Sequence, residues 1–247
     1  MVPARWRSGD AAGAGRGRVS ARGVFVTGTD TDAGKTTASA ALLHALRASG
    51  LRAVGMKPLA SGCTRDADGR WRNDDALALQ AASMPRPDYD DVNPFALPLP
   101  LAPEFAARDA GVIVGMEPIL AAHARLAAQS DFVLVEGVGG WLAPLTATLD
   151  QVDLVRALKV PVVLVVGMRL GCLNHARLSV RAIIDDGVRL AGWIATEVDP
   201  HMARRDENFE ALCQRLPAPC LGRLRWSDRP DPATMAHELC TTGLMGG

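Results

Sequence analysis

The chain has 247 residues, a formal net charge of zero and a hydrophobic content of 48%. A neutral chain with an ordinary apolar fraction gives no electrostatic reason to expect a nucleic-acid partner or an anionic membrane. No apolar run approaches the length that crosses a bilayer, and the five cysteines form no Cys-x-x-Cys pair. We therefore expect a cytoplasmic protein with reduced thiols.

The chain divides into an N-terminal extension and one domain. Residues 1–22 are rich in Gly, Ala and Arg and have no apolar core positions, so we expect them to be disordered. Residues 23–247 are interpreted as a single domain in which strands and helices alternate. The predicted strands are 24–27, 52–56, 131–136, 161–166, 190–195 and 221–224, and the predicted helices are 36–49, 74–82, 117–129, 152–158, 174–186 and 204–215.

The remaining segments are expected to be irregular. Residues 63–73 are a polar excursion, and residues 85–103 are interpreted as a long Pro-rich ordered loop. The strands are continuous apolar runs, which suits burial on both faces of a parallel sheet. Alternation with helices then implies right-handed crossovers. The sequence predicts an α/β fold with a doubly wound, mainly parallel β-sheet flanked by helices on both faces.

The first strand leads into a candidate phosphate-binding loop, Gly28-Thr-Asp-Thr-Asp-Ala-Gly-Lys-Thr-Thr37. Backbone N–H groups at such a turn and at a helix N-terminus favour an anion. Lys35 would reach the β- and γ-phosphates, and the Thr36 hydroxyl would be a ligand of Mg²⁺. Five residues separate Gly28 from Gly34, one more than in the standard motif. The alternative is a Gly-Lys-Thr helix start that binds no ligand.

Other predicted strands also end in chemically useful residues, and ligands of parallel sheets bind at that edge. Only three of the 27 basic residues are lysines, and one of them, Lys57, follows the second strand with Ser61 four residues later. Lys57 could instead be an exposed lysine, and Ser61 a turn residue. Glu136 ends the third strand, where an acid can hold Mg²⁺; the alternative is a solvated carboxylate. Asp75 is either a helix N-cap or a metal ligand.

These motifs together closely resemble dethiobiotin synthases, a family of the phosphate-loop class, over residues 24 to about 224. The resemblance rests on five segments, including the phosphate loop, whose extra residue is what this family has. They are Thr-Gly-Thr-Asp-Thr-Asp-Ala-Gly-Lys-Thr at 27–36, Lys-Pro-Leu-Ala-Ser-Gly at 57–62, Asn-Asp-Asp-Ala-Leu at 73–77, Val-Glu-Gly-Val-Gly-Gly-Trp at 135–141 and Gly-Cys-Leu-Asn-His-Ala at 171–176.

The resemblance implies a reaction, its cofactors and its site residues. ATP and Mg²⁺ would drive carboxylation of 7,8-diaminononanoate by CO₂ to a carbamate, its phosphorylation, and closure of a cyclic urea. Lys35 and Lys57 would be the catalytic residues, and Thr36, Asp75 and Glu136 would hold Mg²⁺. The nucleotide would contact Asp32, Ala33, Gly34, Lys35, Thr36, Thr37, Asp75, Glu136, Gly137, Val138, Gly139, Thr196 and Glu197. The substrate would contact Thr31, Ser61, Gly171, Cys172 and Asn174.

The resemblance also implies a homodimer in which the partner subunit holds the substrate carboxylate, a role that Gly171, Cys172 and Asn174 fit. Two positions depart from the family pattern. Thr196 stands where Asn is common, and Arg225 stands where proline is usual. Both lie on the base side of the nucleotide, so the preference for adenine is left open.

Three other functions are considered. A partitioning or maturation ATPase would carry an additional lysine five residues before the phosphate-loop lysine, where this chain has Asp30. An amide-forming ligase would often carry a glutamine-hydrolysing domain, for which this chain has neither room nor motif. A pure nucleotide-binding module remains possible if Lys57 and Ser61 have no role.

Overall fold

The computed structural model describes residues 22–245 of the protein. The strands are β1 Arg22–Gly28, β2 Ala53–Met56, β3 Leu59–Ala60, β4 Thr64–Arg65, β5 Trp71–Arg72, β6 Phe95–Ala96, β7 Phe132–Gly140, β8 Pro144–Thr146, β9 Leu149–Asp150, β10 Val162–Met168, β11 Leu190–Glu197 and β12 Cys220–Leu224. Arg22, expected in the disordered extension, is the first residue of β1. The rest of that extension lies outside the described residues.

The helices are α1 Lys35–Ala48, α2 Asp74–Ala82, α3 Tyr89–Val92, α4 Pro103–Ala110, α5 Met116–Gln129, α6 Gln151–Leu158, α7 Cys172–Asp185, α8 Arg205–Arg215, α9 Pro232–Met235 and α10 Thr242–Met245. The six helices predicted from the sequence are all present, with ends that differ by at most two residues. Within residues 22–245, no helix combines the length and apolar character needed to cross a bilayer.

The central sheet has six strands in the order β12-β11-β10-β1-β7-β2. Every neighbouring pair in it is parallel. Successive side chains of a strand point to opposite faces, and β1 shows the consequence. Val24 and Val26 join a core formed with α1 and α2, whereas Phe25 joins a core formed with α5 and α6. Because helices cover both faces, the predicted doubly wound α/β fold is confirmed.

The expectation of a long loop at residues 85–103 is wrong in part. This segment contains the short helix α3 and strand β6, and α4 begins at Pro103. The cause is burial, because Tyr89 and Val92 are 6% and 0% exposed and pack against Ala76 of α2. The prolines of the segment suggest irregular chain, but the tertiary contacts of its apolar residues order it.

Strand β7 continues beyond Glu136, where the sequence-based prediction ended it, to Gly140. Gln151, the buried first residue of α6, holds the end of this strand: its Oε1 accepts from Val138 N at 2.9 Å, and its Nε2 donates to Gly140 O at 2.6 Å. A Cβ on Gly137 would lie 2.1 Å from Gln151 Oε1 and 2.7 Å from the ring of Phe25. The position therefore excludes a side chain.

We expect Gly137→Ala to lower the free energy of unfolding by about 1 to 3 kcal/mol, the usual cost of overpacking a core. The new methyl group must displace Gln151, which would break its hydrogen bonds to β7. Urea denaturation measures this cost. Gly50→Ala is the control, because a Cβ at Gly50 meets no atom within 4 Å and the effect there is confined to backbone strain from its φ of 87°.

Candidate active site

The loop between β1 and α1 has the backbone of an anion-binding turn. Asp32 and Gly34 have φ of 55° and 81°, in the left-handed region, which bends the chain sharply. A Cβ on Gly34 would lie 3.0 Å from the side chain of Thr196, so glycine also satisfies a close approach. Lys35 begins α1, and its Nζ donates to the Asp30 carbonyl oxygen at 3.0 Å. The first N–H groups of α1 lack intrahelical acceptors and are free to receive an anion.

Four side chains from separate parts of the fold meet beside this loop. Lys57, which follows β2, donates from Nζ to Asp75 Oδ2 at 2.8 Å and to Glu136 Oε1 at 2.6 Å. The Thr36 hydroxyl donates to the same Glu136 oxygen at 2.9 Å. The Lys57 and Glu136 side chains are 5% and 0% exposed, and that of Asp75 is 43% exposed. The structure thus brings together the residues expected to serve as catalyst and metal ligands.

Burial and neighbouring charges shift the pKa values of Lys57, Asp75 and Lys35. Burial alone lowers the pKa of Lys57, but Glu136 and Asp75 outweigh it and leave the pKa above its usual value. Burial likewise raises the pKa of Asp75, but Lys57 outweighs it and the result lies below normal. The pKa of Lys35 is lowered, first by burial and then by the ammonium of Lys57. An arriving anion would therefore stabilise the charged form of Lys35 most.

Oxygen atoms that suit a hard divalent cation lie on Thr36, Asp75 and Glu136. Glu136 Oε2 is buried and has no hydrogen-bond partner among the described residues, so this carboxylate retains an unused acceptor. Within residues 22–245, no group of three or more His, Cys, Asp or Glu side chains could hold a metal. A cation here would therefore take its other ligands from phosphate and water, as Mg²⁺ does in nucleotide sites.

A pocket of about 630 Å³ opens above this cluster. The expected site residues that line it are Thr31, Asp32, Gly34, Lys35, Thr36, Thr37, Lys57, Ser61, Asp75, Val138 and Gly139. Residues Pro100 to Pro103, Ala143 and Pro144 add an apolar wall that the sequence did not indicate. Gly137 does not line this pocket, because it faces Phe25 and Gln151. The pocket can hold a polyanion at one end and an apolar chain along its wall.

A second cavity, of about 230 Å³, adjoins the first and shares Gly34 and Thr37 with it. Thr196, which lines this cavity, donates its hydroxyl to Ala33 O and also lies 3.3 Å from Val166 O. Its donor is thus already used within the protein.

Glu197 lines the same small cavity, but its carboxylate is engaged by arginines. Arg205 and Arg223 donate to its two oxygens at 2.9 and 2.8 Å, and the side chain is only 2% exposed. Arg225 lies on the rim, with NH1 3.8 Å from Glu197 Oε1 and 66% of its side chain exposed. A group that enters this cavity therefore meets a guanidinium donor more readily than a free acceptor.

Gly171, Cys172 and Asn174 lie at the start of α7, and none of them lines the 630 Å³ pocket. Gly171 has a φ of 94°, and Cys172 is buried in a core behind the helix. Asn174 lines a separate cavity of about 430 Å³ with Arg177 and Leu178. Within a single chain, these three residues are not assembled with the cluster around Lys57.

Known proteins with similar sequences identify the family. A family model described as an AAA domain matches residues 22–234. An ATP-dependent dethiobiotin synthetase of Xanthomonas euvesicatoria is 63% identical over 87% of this chain and 96% of the relative. The Xylella fastidiosa protein of the same name is 61% identical over 89% of this chain and 97% of the relative. The chain belongs to the dethiobiotin synthetase family. It is therefore an ATP-dependent ligase.

A solved structure with the same fold is the MinC:MinD cell division protein complex of Aquifex aeolicus. A chain of that complex matches with a TM-score of 0.51 and 14% identity, over 87% of this chain and 85% of the other. At this identity the likeness shows the fold alone. The residues matched by the AAA domain model include all those that line the 630 Å³ pocket.

Some residues that shape this dethiobiotin synthetase site carry no local sequence signal. Gln151 is an ordinary polar residue at a helix start, yet it is fully buried and holds the end of β7. Tyr89 and Asn93 are buried beneath Lys57 in the segment interpreted as a loop. The one available signal was that Tyr89 is the single tyrosine of the chain.

Proposed function

We propose that this enzyme converts 7,8-diaminononanoate, CO₂ and ATP to dethiobiotin, ADP and phosphate. One amine would add to CO₂ to form a carbamate and release a proton. A carbamate oxygen would then attack the γ-phosphorus, with ADP as leaving group, to give a carbamic-phosphoric anhydride. The second amine would attack the carbonyl carbon, lose a proton, and expel phosphate as the cyclic urea forms. The observation that carries this proposal is Lys57, a buried cation held between two carboxylates beside the phosphate loop.

The nucleotide phosphates would lie against the loop from Asp32 to Thr37. Lys35, Thr36 and Thr37, the first residues of α1, line the pocket, and the N–H groups of a helix start favour an anion. An arriving anion would raise the lowered pKa of Lys35. Phosphoryl transfer depends mainly on positioning and on neutralising charge. The loop and Lys35 supply both for the γ-phosphate.

Lys57 would hold the carbamate close to that phosphate. Two anions repel each other, and a positioned cation between them lowers the barrier to their reaction. Because Asp75 and Glu136 keep the pKa of Lys57 raised, the side chain stays an ammonium at neutral pH. Ser61 and Thr31 line the same pocket and are the proposed hydrogen-bonding partners of the diamine and its carbamate.

Mg²⁺ would be held by the Thr36 hydroxyl and the carboxylates of Asp75 and Glu136. The unpartnered Glu136 Oε2 supports this assignment, since a buried carboxylate oxygen without a donor suits a cation. When bound, the ion would offset the charge that develops on the β- and γ-phosphate oxygens.

A homodimer is proposed because the resemblance assigns the substrate carboxylate to Gly171, Cys172 and Asn174 of the partner subunit. Their position away from the pocket of their own chain supports this assignment. Leu170 and Leu178, beside and within the same helix, are 94% and 59% exposed. Such apolar surface is typical of an interface. A cytoplasmic location remains part of this proposal.

The test is an assay with diaminononanoate, bicarbonate, Mg²⁺ and ATP. We expect dethiobiotin to form with one ADP per product and ADP release to depend on the diamine. Hydrolysis of ATP at the same rate without the diamine would instead support a nucleotide switch. Repeating the assay without Mg²⁺, and measuring the oligomeric state by sedimentation, tests the ion and the dimer separately.

We expect weak discrimination among nucleotide bases, because the Thr196 donor is already bound to Ala33 O. Thr196→Asn would restore a side chain with both a donor and an acceptor. One such hydrogen bond contributes about 1 kcal/mol, so we expect preference for ATP over other nucleoside triphosphates to rise by up to about tenfold. The measurement is kcat/KM for ATP, GTP and CTP in both proteins. Equal ratios in the two would remove position 196 from base recognition.

A further inference from the structure

The turn from Tyr89 to Asn93 lies directly beneath Lys57 and binds its backbone. Lys57 N donates to Val92 O at 2.8 Å, and Lys57 O accepts from Asn93 Nδ2 at 2.7 Å. Pairing of β2 with β7 ends one residue earlier, at Met56. The peptide groups of Lys57 are therefore held by this turn and not by the sheet.

The same turn also binds the start of helix α2, which carries Asp75. Tyr89 Oη accepts from Asn73 N at 2.8 Å, and Asn73 is the N-cap residue of α2, with its Oδ1 accepting from Ala76 N. Asp75 is the second residue of that helix. Tyr89 thus contacts the backbone that sets the position of the Asp75 carboxylate.

The two contacts are joined through one hydrogen bond between side chains. Tyr89 Oη donates to Asn93 Oδ1 at 3.1 Å, while Asn93 Nδ2 donates to Lys57 O. Both side chains are buried, at 6% and 3% exposed. Reversing the amide of Asn93 would place its oxygen against the Lys57 carbonyl oxygen, so the network permits one orientation.

Lys57 is therefore connected to the start of α2 by two separate paths. One path runs from Lys57 through Asn93 and Tyr89 to the start of α2, and the other crosses from Lys57 Nζ to Asp75 at 2.8 Å. Arg72 stacks on Tyr89, with its guanidinium carbon 4.1 Å from the ring centre, and also binds Asp66 at 2.9 Å. Burial raises the pKa of Tyr89, so its hydroxyl stays protonated and can donate.

We propose that Tyr89 and Asn93 are positioning residues that set the geometry of Lys57 relative to Asp75. Neither lies among the side chains proposed to touch substrate; they act through the backbone on either side of the ion pair. The inference rests on the proposed function of Lys57. We call the hydrogen bonds from Lys57 O through Asn93 and Tyr89 to Asn73 N the bridge. Its loss would leave nucleotide binding intact and misplace the ammonium that meets the carbamate.

Two nearly isosteric variants test the bridge. Tyr89→Phe removes the hydroxyl, and Asn93→Asp replaces the donor that faces Lys57 O with an acceptor. Misplacement of reacting groups by about 1 Å costs up to about 100-fold in rate, so we expect kcat to fall by about 10- to 100-fold in each. We expect KM for ATP to change by less than about twofold, since the phosphate loop is untouched. The double variant should lose no more than the worse single variant, because the two residues act as one unit.

The matched control is Ser130→Ala. Ser130 is the C-cap residue of α5 and is 6% exposed, and its hydroxyl donates to Leu126 O at 2.8 Å. The variant therefore also removes a buried hydrogen bond of a hydroxyl group, but one that does not contact Lys57 or Asp75. It should lower the melting temperature while leaving kcat unchanged. A purely structural role for Tyr89 predicts the same behaviour in Tyr89→Phe, and that result would overturn the proposal.

Two further measurements keep the outcome independent of the proposed reaction. Wild-type turnover and its loss in Lys57→Gln report on the proposed function itself. A normal kcat in Tyr89→Phe together with an inactive Lys57→Gln would therefore reject the positioning role of Tyr89 and leave the proposed function standing. A crystal structure of Tyr89→Phe gives the distance from Lys57 Nζ to Asp75 Oδ2 directly. We expect it to exceed the hydrogen-bond limit of about 3.5 Å; an unchanged separation of 2.8 Å would contradict the inference.

Discussion

Replacing Lys57 with glutamine is expected to abolish dethiobiotin formation while ATP still binds. Glutamine has similar length but no charge, so it lacks the cation that we propose holds a carbamate against the γ-phosphate. Charge stabilisation of this kind contributes about 10²- to 10³-fold per group, and we expect at least that loss in kcat. Lys35 and the loop remain in place, so nucleotide affinity should change little.

The measurement pairs product formation with direct titration of an ATP analogue. Lys159→Gln is the matched control, because it makes the same substitution at an exposed lysine at the end of α6. It should retain full activity. Turnover in Lys57→Gln within about tenfold of wild type would remove Lys57 from the mechanism, because removing a group that stabilises developing charge lowers kcat by about 10²-fold or more.

The sequence predicts the edge of the sheet better than the contacts beneath it. Lys57 follows β2, and Glu136 lies within β7. The last paired residues of these parallel strands are Met56 and Val135, so the proximity of the residues that come next, Lys57 and Glu136, follows from the topology. Asp75 lies in a helix start that local patterns also indicate. Each of these side chains lies in or directly after an element that the sequence predicts.

The supporting residues lie in a segment for which no helix or strand is predicted, and their partners are distant in sequence. Tyr89 binds the backbone of Asn73, and Asn93 binds that of Lys57. These contacts depend on how a Pro-rich segment packs on α2. Burial of Tyr89 against Ala76 stabilises that packing, and no local sequence motif indicates it. The same holds for Glu197, whose place at a strand end is predictable but whose engagement by Arg205 is not. Tertiary packing, not propensity, determines these positions.

Replacing Glu136 with glutamine is expected to cost more stability than any other single change in the site. The carboxylate is 0% exposed and pairs with a lysine side chain that is 5% exposed. Removing one partner of a buried pair costs about 3 to 5 kcal/mol, because the remaining charge is left without compensation. Asp75 still contacts Lys57, so we expect about 3 kcal/mol, the lower end of this range.

The double variant Lys57→Gln/Glu136→Gln separates stability from chemistry. With both charges gone, neither is stranded, so the free energy of unfolding should recover most of the loss seen in Glu136→Gln. Activity should stay absent, since the proposed catalytic cation is missing. Urea denaturation of the wild type, both single variants and the double variant gives the coupling energy. Additive losses would show that the pair is not a buried unit.

The difference in free energy of unfolding between wild type and Glu136→Gln should depend on pH in a definite direction. The pKa of Lys57 in the folded protein lies above the usual 10.5, so the ion pair contributes its full stability below that pH. As the pH rises through the folded pKa, the ammonium loses its proton and the contribution disappears. The gap in stability between wild type and Glu136→Gln should therefore be constant from neutral pH to about pH 10 and shrink above it. A gap that instead closes between pH 6 and 8 would assign the stabilisation to another group, because the pKa of Lys57 lies above 10.5.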